Sequence, residues 1–173
     1  MRRHEKKAVK ARQEGLLRPL CVVLVPARLE QSPLRERVDD LLTAPGAVRV
    51  EPAAFGYNTT ARLPGRLPEA IAAGQAKRMP LRGEPRAIVA FEPRQYLLAG
   101  ALLARYEGSE LWYGGEDPSA RWGELHEAAL KRAALRFGGE PEQDPHERNR
   151  ALWQRMEGLG VESGRLGSER ARQ

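Results

Sequence analysis

Residues 19–26 read Pro19-Leu20-Cys21-Val22-Val23-Leu24-Val25-Pro26, a short apolar run, rich in β-branched side chains, that begins and ends with proline. A strand with one face in water alternates apolar and polar residues, whereas a strand covered on both faces runs apolar throughout. The run therefore predicts a buried strand. Downstream, Ser32 stands directly before Pro33, a favoured pairing of helix cap and first helical residue. Leu34, Val38, Leu41 and Leu42 follow at the spacing of one helical face. Pro45-Gly46 closes that helix, and Ala47 to Val50 reads as a second, shorter strand.

The same alternation continues to the end of the domain. Residues 51–66 have no clear period and hold Gly56, Pro64 and Gly65; they read as a long loop of the kind that carries binding residues or is simply mobile. A helix is expected from Leu67 to Met79, with Gly74 in its interior, and a third strand at Ala87-Ile88-Val89-Ala90-Phe91. Residues 94–106 form a helix that is apolar almost all round, as a helix covered on most sides must be. Leu111-Trp112-Tyr113 makes a fourth strand, stopped by Gly114-Gly115. Trp122, Leu125, Ala129, Ala133 and Phe137 line one stripe of a helix expected from Ser119 to Phe137. Asp144-Pro145-His146-Glu147 opens a last helix with Leu152, Met156 and Leu159 on its apolar face. Strand and helix in strict alternation specify a parallel sheet with right-handed crossovers. The expectation is a single Rossmann-like α/β domain over residues 19–159, with about four strands and helices on both faces. A basic arm (1–18) precedes it, and a Gly, Ser, Arg and Glu-rich tail (160–173) that reads as disordered follows it.

Length and composition narrow the class. The 173 residues suffice for one buried core. The longest apolar run, Tyr96 to Ala104, is about half of what a membrane-spanning helix needs, and the first residues lead into no signal-peptide core. A single cysteine, Cys21, rules out an intrachain disulfide or a cysteine-rich zinc site. These features point to a cytoplasmic protein without a transmembrane segment. Residues 1–18 carry seven basic side chains against two acidic ones, so that arm holds +5 of the chain's net +6. A DNA-binding protein spreads its basic surface over a folded face, so DNA is not an expected partner. A basic arm suits RNA, an acidic partner or solvent alone, and a non-catalytic interaction module working through that arm is the alternative to any enzymatic reading.

Most catalytic signatures are missing. There is no Gly-Lys pair and hence no P-loop, and Ala27-Arg28-Leu29-Glu30-Gln31 after the first strand supplies no glycine for a dinucleotide pyrophosphate. There is no Gly-x-Ser-x-Gly elbow and no zinc-binding His-Glu-x-x-His helix. His4, His126 and His146 fall on three unrelated elements, so neither a metal nor a cofactor is expected. The remaining guide is position. Open parallel sheets bind ligands beyond the carboxyl ends of their strands. Those ends carry Arg28, then Glu92 and Arg94, then Glu116 and Asp117. Glu92 and Glu116 are candidates for acid–base or hydroxyl-binding work, or are solvated loop carboxylates, with Asp117 or Ser119 capping the next helix. Arg28 and Arg94 are placed to clamp an anionic group, or to pair with Glu92 and Glu116. Tyr57 and Asn58 in the long loop suit stacking on, or hydrogen bonding to, a sugar ring, or close the loop.

The segment from Pro85-Arg86-Ala87-Ile88-Val89-Ala90-Phe91-Glu92-Pro93 through Leu111-Trp112-Tyr113-Gly114-Gly115-Glu116-Asp117 resembles the N-terminal half of GT-B glycosyltransferases of the family-4 type. In that half, too, a buried strand is followed by an Ala/Leu-rich helix and a second strand ending near an aspartate. The resemblance extends loosely over residues 19–137. Glu92 and Glu116 stand where the family has histidines, and the glycine pair that follows the family's first strand is missing. What the resemblance implies is an acceptor-side domain for a sugar or lipid-linked acceptor. It further implies either a stand-alone relic or one half of a split enzyme, in which a partner chain supplies the nucleotide-sugar-binding half, and no turnover without that half.

Overall fold

A computed structural model describes residues 17–51, 62–115, 120–138 and 145–164. Five strands, β1 (Pro19–Leu24), β2 (Ala47–Val50), β3 (Glu84–Ala90), β4 (Glu110–Tyr113) and β5 (Leu135–Arg136), form one sheet in the order β2-β1-β3-β4-β5. Every neighbouring pair is parallel. The helices are α1 (Arg35–Leu41), α2 (Leu67–Arg78), α3 (Tyr96–Arg105), α4 (Gly123–Arg132) and α5 (Pro145–Gly158). The expected α/β class holds, with five strands in place of about four.

Alternate residues of each strand serve opposite faces, so the sheet separates two cores. Val22, Leu24, Ile88, Ala90, Leu111 and Tyr113 belong to a cluster with residues of α2, α3 and α4. Cys21, Val23, Ala87, Val89 and Trp112 face α1 and α5 instead. All eleven of these strand side chains are buried, which is why Cys21–Leu24 of β1 and Ala87–Ala90 of β3 are apolar without alternation. The one proline inside a central strand, Pro85, sits where the β1–β3 register shifts between Leu20 and Cys21. A residue with no N–H is tolerated at such an irregularity.

Several boundaries differ from the sequence expectation: α1 starts at Arg35 with Leu34 rather than Ser32 as its N-cap, α4 starts at Gly123 after a 3-10 turn, and two further differences change what a segment does. The helix expected to reach Phe137 ends at Arg132. Ala133 turns to extended backbone, and Leu135–Arg136 pairs with Trp112 and Tyr113 as an edge strand. Ala133, Leu135 and Phe137 satisfy a period of two as well as the helical stripe satisfies its own, and the open edge of β4 decides between them. At the other boundary, packed structure runs beyond Leu159. Val161 is buried in the α1/α5 core, Gly46 donates its N–H to the Glu162 carbonyl at 2.8 Å, and Arg18 pairs with Glu162 at 2.8 Å. Composition reads this stretch as tail because a single valine anchors it. Trp153 of α5 is buried in the same core.

Candidate functional site

The crevice follows from connectivity. The chain leaves β1 toward α1 on one face and leaves β3 toward α3 on the other, so a gap opens at the carboxyl ends of these two adjacent strands. A buried glutamine spans that gap. Gln95 accepts the N–H groups of Phe91 (2.7 Å) and Glu92 (3.2 Å) through Oε1 and donates Nε2 to the Leu24 carbonyl at 2.9 Å. All of its amide atoms thus serve to lock the end of β3 to the end of β1.

Glu92 emerges from this lock into the crevice. Its Oε2 accepts the N–H of Ala27 at 3.3 Å, and Oε1 lies 3.9 Å from the Arg94 guanidinium. The side chains of Arg94 and Glu92 are only 21% and 22% exposed. Burial raises the carboxyl's pKa above the ordinary glutamate value; the Ala27 N–H and the Arg94 charge oppose that rise without cancelling it. Arg94 in turn lies 5.5 Å from the centre of the Trp122 ring, with Arg121 over the same ring at 5.1 Å. That is within the range of cation–π attraction.

Arg28 follows Ala27 directly. It is the only non-glycine residue with positive φ among those described (φ 59°, ψ 39°), and its exposed guanidinium makes no ion pair or hydrogen bond there. L-residues visit this left-handed region at a cost, and such strain concentrates at ligand-binding positions. Beneath the crevice, the Tyr113 hydroxyl meets Nδ1 of the buried His126 at 3.0 Å. Burial, and then the negative charge of Glu92, push the Tyr113 pKa up to about 12.

Glu92 and Arg94 thus lie together at the carboxyl end of β3, with Ala27 of the β1 loop against Glu92 and Arg28 the next residue in the chain. Glu116, Asp117, Tyr57 and Asn58 lie outside the described residues, as does the arm through residue 16. Gln95, Trp122 and the Tyr113–His126 pair escaped the sequence reading. Gln95 alone had a visible signal, as the one uncharged polar residue between a buried strand and an apolar helix. Among the described residues no group of three or more His, Cys, Asp and Glu side chains is placed to hold a metal ion. None of the described helices is long and apolar enough to cross a membrane.

Fold and local geometry together define a doubly wound α/β domain with one half-buried carboxylate, held by the Ala27 N–H and loosely paired with Arg94, at its switch point. No family model, no curated protein and no solved structure matches the chain.

Proposed function

We propose that the domain binds a hydroxyl-rich acceptor, a sugar or a lipid-linked sugar, in the β1/β3 crevice, as the acceptor-side half of a glycosyltransferase-like enzyme. The observation that carries this reading is the Glu92 carboxylate, held at the switch point by the Ala27 N–H and kept largely out of water. A carboxylate with a raised pKa is a better proton acceptor than a solvated one. In the acceptor reaction Glu92 takes the hydroxyl proton while the acceptor oxygen bonds to the anomeric carbon of the donor sugar. The nucleoside diphosphate leaves with the electron pair of the broken anomeric C–O bond. Arg94 beside the base, and Arg28 one residue after Ala27, suit an anionic substituent on the acceptor. The donor-binding half belongs to another domain or chain, since the β1 turn has no glycine to admit a pyrophosphate.

Titration with methyl glycosides and, separately, with UDP- and GDP-sugars tests this, followed by the amide resonances of Ala27, Arg28 and Glu92. Glycosides should move these three resonances saturably, and Glu92→Gln should weaken the response several-fold. Tight binding of nucleotide sugars, with no response to any glycoside, would reverse the assignment of halves.

A further inference from the structure

Among the described residues, three large apolar side chains are more than a third exposed: Leu63 (37%), Leu67 (54%) and Ile71 (36%). Isolated exposed leucines need no explanation, but these three lie within nine residues of one another. Leu67 and Ile71 are four apart on α2, and Gly74 and Arg78 continue the same face. Helix α2 turns the opposite face inward. Its buried side chains include Ala72 and Ala76, and it packs on α3. This inverts the usual amphipathic helix, in which the large apolar residues are the ones hidden. The helix buries Pro68, Ala72 and Ala76 and presents its two large apolar side chains to water.

The charge along this stretch is predominantly positive. Residues 62–82 contain Arg62, Arg66, Lys77, Arg78 and Arg82, all exposed, and Glu69 as the single acidic residue. Two of the arginines stand immediately before the exposed leucines, as Arg62-Leu63 and Arg66-Leu67. Interleaved basic and apolar side chains on a helix entrance are what an anionic bilayer surface selects: the guanidinium groups meet headgroups while the leucines enter the acyl boundary. A stable protein–protein interface needs about 800 Å² from each partner, more than three partly exposed side chains supply.

We propose that the Arg62–Arg78 face docks the domain on an anionic lipid bilayer, with Leu63, Leu67 and Ile71 as the inserted residues. This surface is separate from the crevice, and the inference does not depend on the acceptor reading. Sedimentation of the full chain with vesicles tests it, using phosphatidylcholine alone and phosphatidylcholine mixed with phosphatidylglycerol. The mixed vesicles should bind the protein and the neutral ones should not. Leu67→Ser with Ile71→Ser should cut the partition coefficient by about tenfold or more. Arg62→Gln with Arg66→Gln should cut it by roughly fivefold per charge removed, with urea midpoints unchanged because both pairs are exposed. Every variant keeps the basic arm, so equal binding by the serine variant and the unaltered chain would assign the attraction to that arm and overturn the proposal. Absence of binding to the mixed vesicles would overturn it too. So would a self-associating protein that turns monomeric in the serine variant without ever binding vesicles.

Discussion

The Gln95 side-chain amide donates to the Leu24 carbonyl across the gap between β3 and β1, at 2.9 Å and with no exposure to solvent. Two adjacent strands that send their connections to opposite faces have no shared helix at their ends, and a side chain must do the joining. Gln95 suits the task because an amide is both donor and acceptor. Its Oε1 organises the Phe91 and Glu92 N–H groups while Nε2 holds the other strand.

Gln95→Ala should therefore cost about 2–4 kcal/mol, since it leaves two N–H groups and one carbonyl without their partner in a dry place. Gln95→Glu keeps the acceptor but removes the donor to Leu24, and it should be worse at neutral pH than in acid, where the carboxyl protonates. Urea unfolding of both variants at two pH values checks this.

The strands were legible because burial on both faces leaves a strong mark. Cys21 to Val25 and Ala87 to Phe91 have few polar residues to confuse the period, and Ala47–Val50 falls where expected. The edge strand Leu135–Arg136 was not legible, since two residues paired with the open side of β4 carry no pattern of their own. The packed stretch around Val161 was hidden for a related reason: its ties are the backbone bond from Gly46 and the ion pair with Arg18, which are long-range contacts. At the switch point, position alone was enough to expect Arg28, Glu92 and Arg94 at the ends of β1 and β3, because topology decides where strand ends lie. The support beneath them was not, because Tyr113 and His126 look in sequence like an ordinary strand residue and an ordinary helix residue.

Tyr113→Phe removes one buried hydrogen bond and leaves the His126 Nδ1 unpartnered on that side. Stability should fall by about 1–2 kcal/mol. Absorbance titration of the phenols offers a sharper readout. In the unaltered protein one tyrosine should ionise at about 12, well above an ordinary phenol, and that step should vanish in Tyr113→Phe. Glu92→Gln should shift the same step down, because the carboxylate charge helps to raise it.

Arg28 in left-handed backbone separates stability from binding. Arg28→Gly relieves the local backbone cost of about 1 kcal/mol, offset in part by the greater freedom of glycine in the unfolded chain. Thermal stability should thus stay level or rise slightly. Affinity for an anionic acceptor should drop about tenfold or more with the loss of one charged contact. Arg28→Lys should keep the charge and the strain but lose the planar fork, and so should recover affinity only in part. Calorimetry with a sulfated and an uncharged glycoside separates the two effects.

Two carboxylates give stability opposite pH dependences. Glu110 has its pKa lowered, chiefly by hydrogen bonding to Arg155. Its contribution is present above the unfolded-state value and fades as pH falls through the lower folded one. Glu92 has its pKa raised by burial. The folded state therefore holds that proton more tightly than the unfolded chain, and the stability contributed by the neutral carboxyl is lost as pH rises from the unfolded-state value through the folded one. Glu92→Gln should accordingly stabilise the protein at neutral pH and lose that advantage below the carboxylate range. Glu110→Gln should destabilise it at neutral pH and become indifferent in acid. Unfolding midpoints for both variants across the acid limb check the pair. Parallel profiles, or a Glu92→Gln variant less stable than the unaltered protein at neutral pH, would mean that the carboxylate is held by contacts stronger than the single Ala27 N–H and the loose Arg94 pairing.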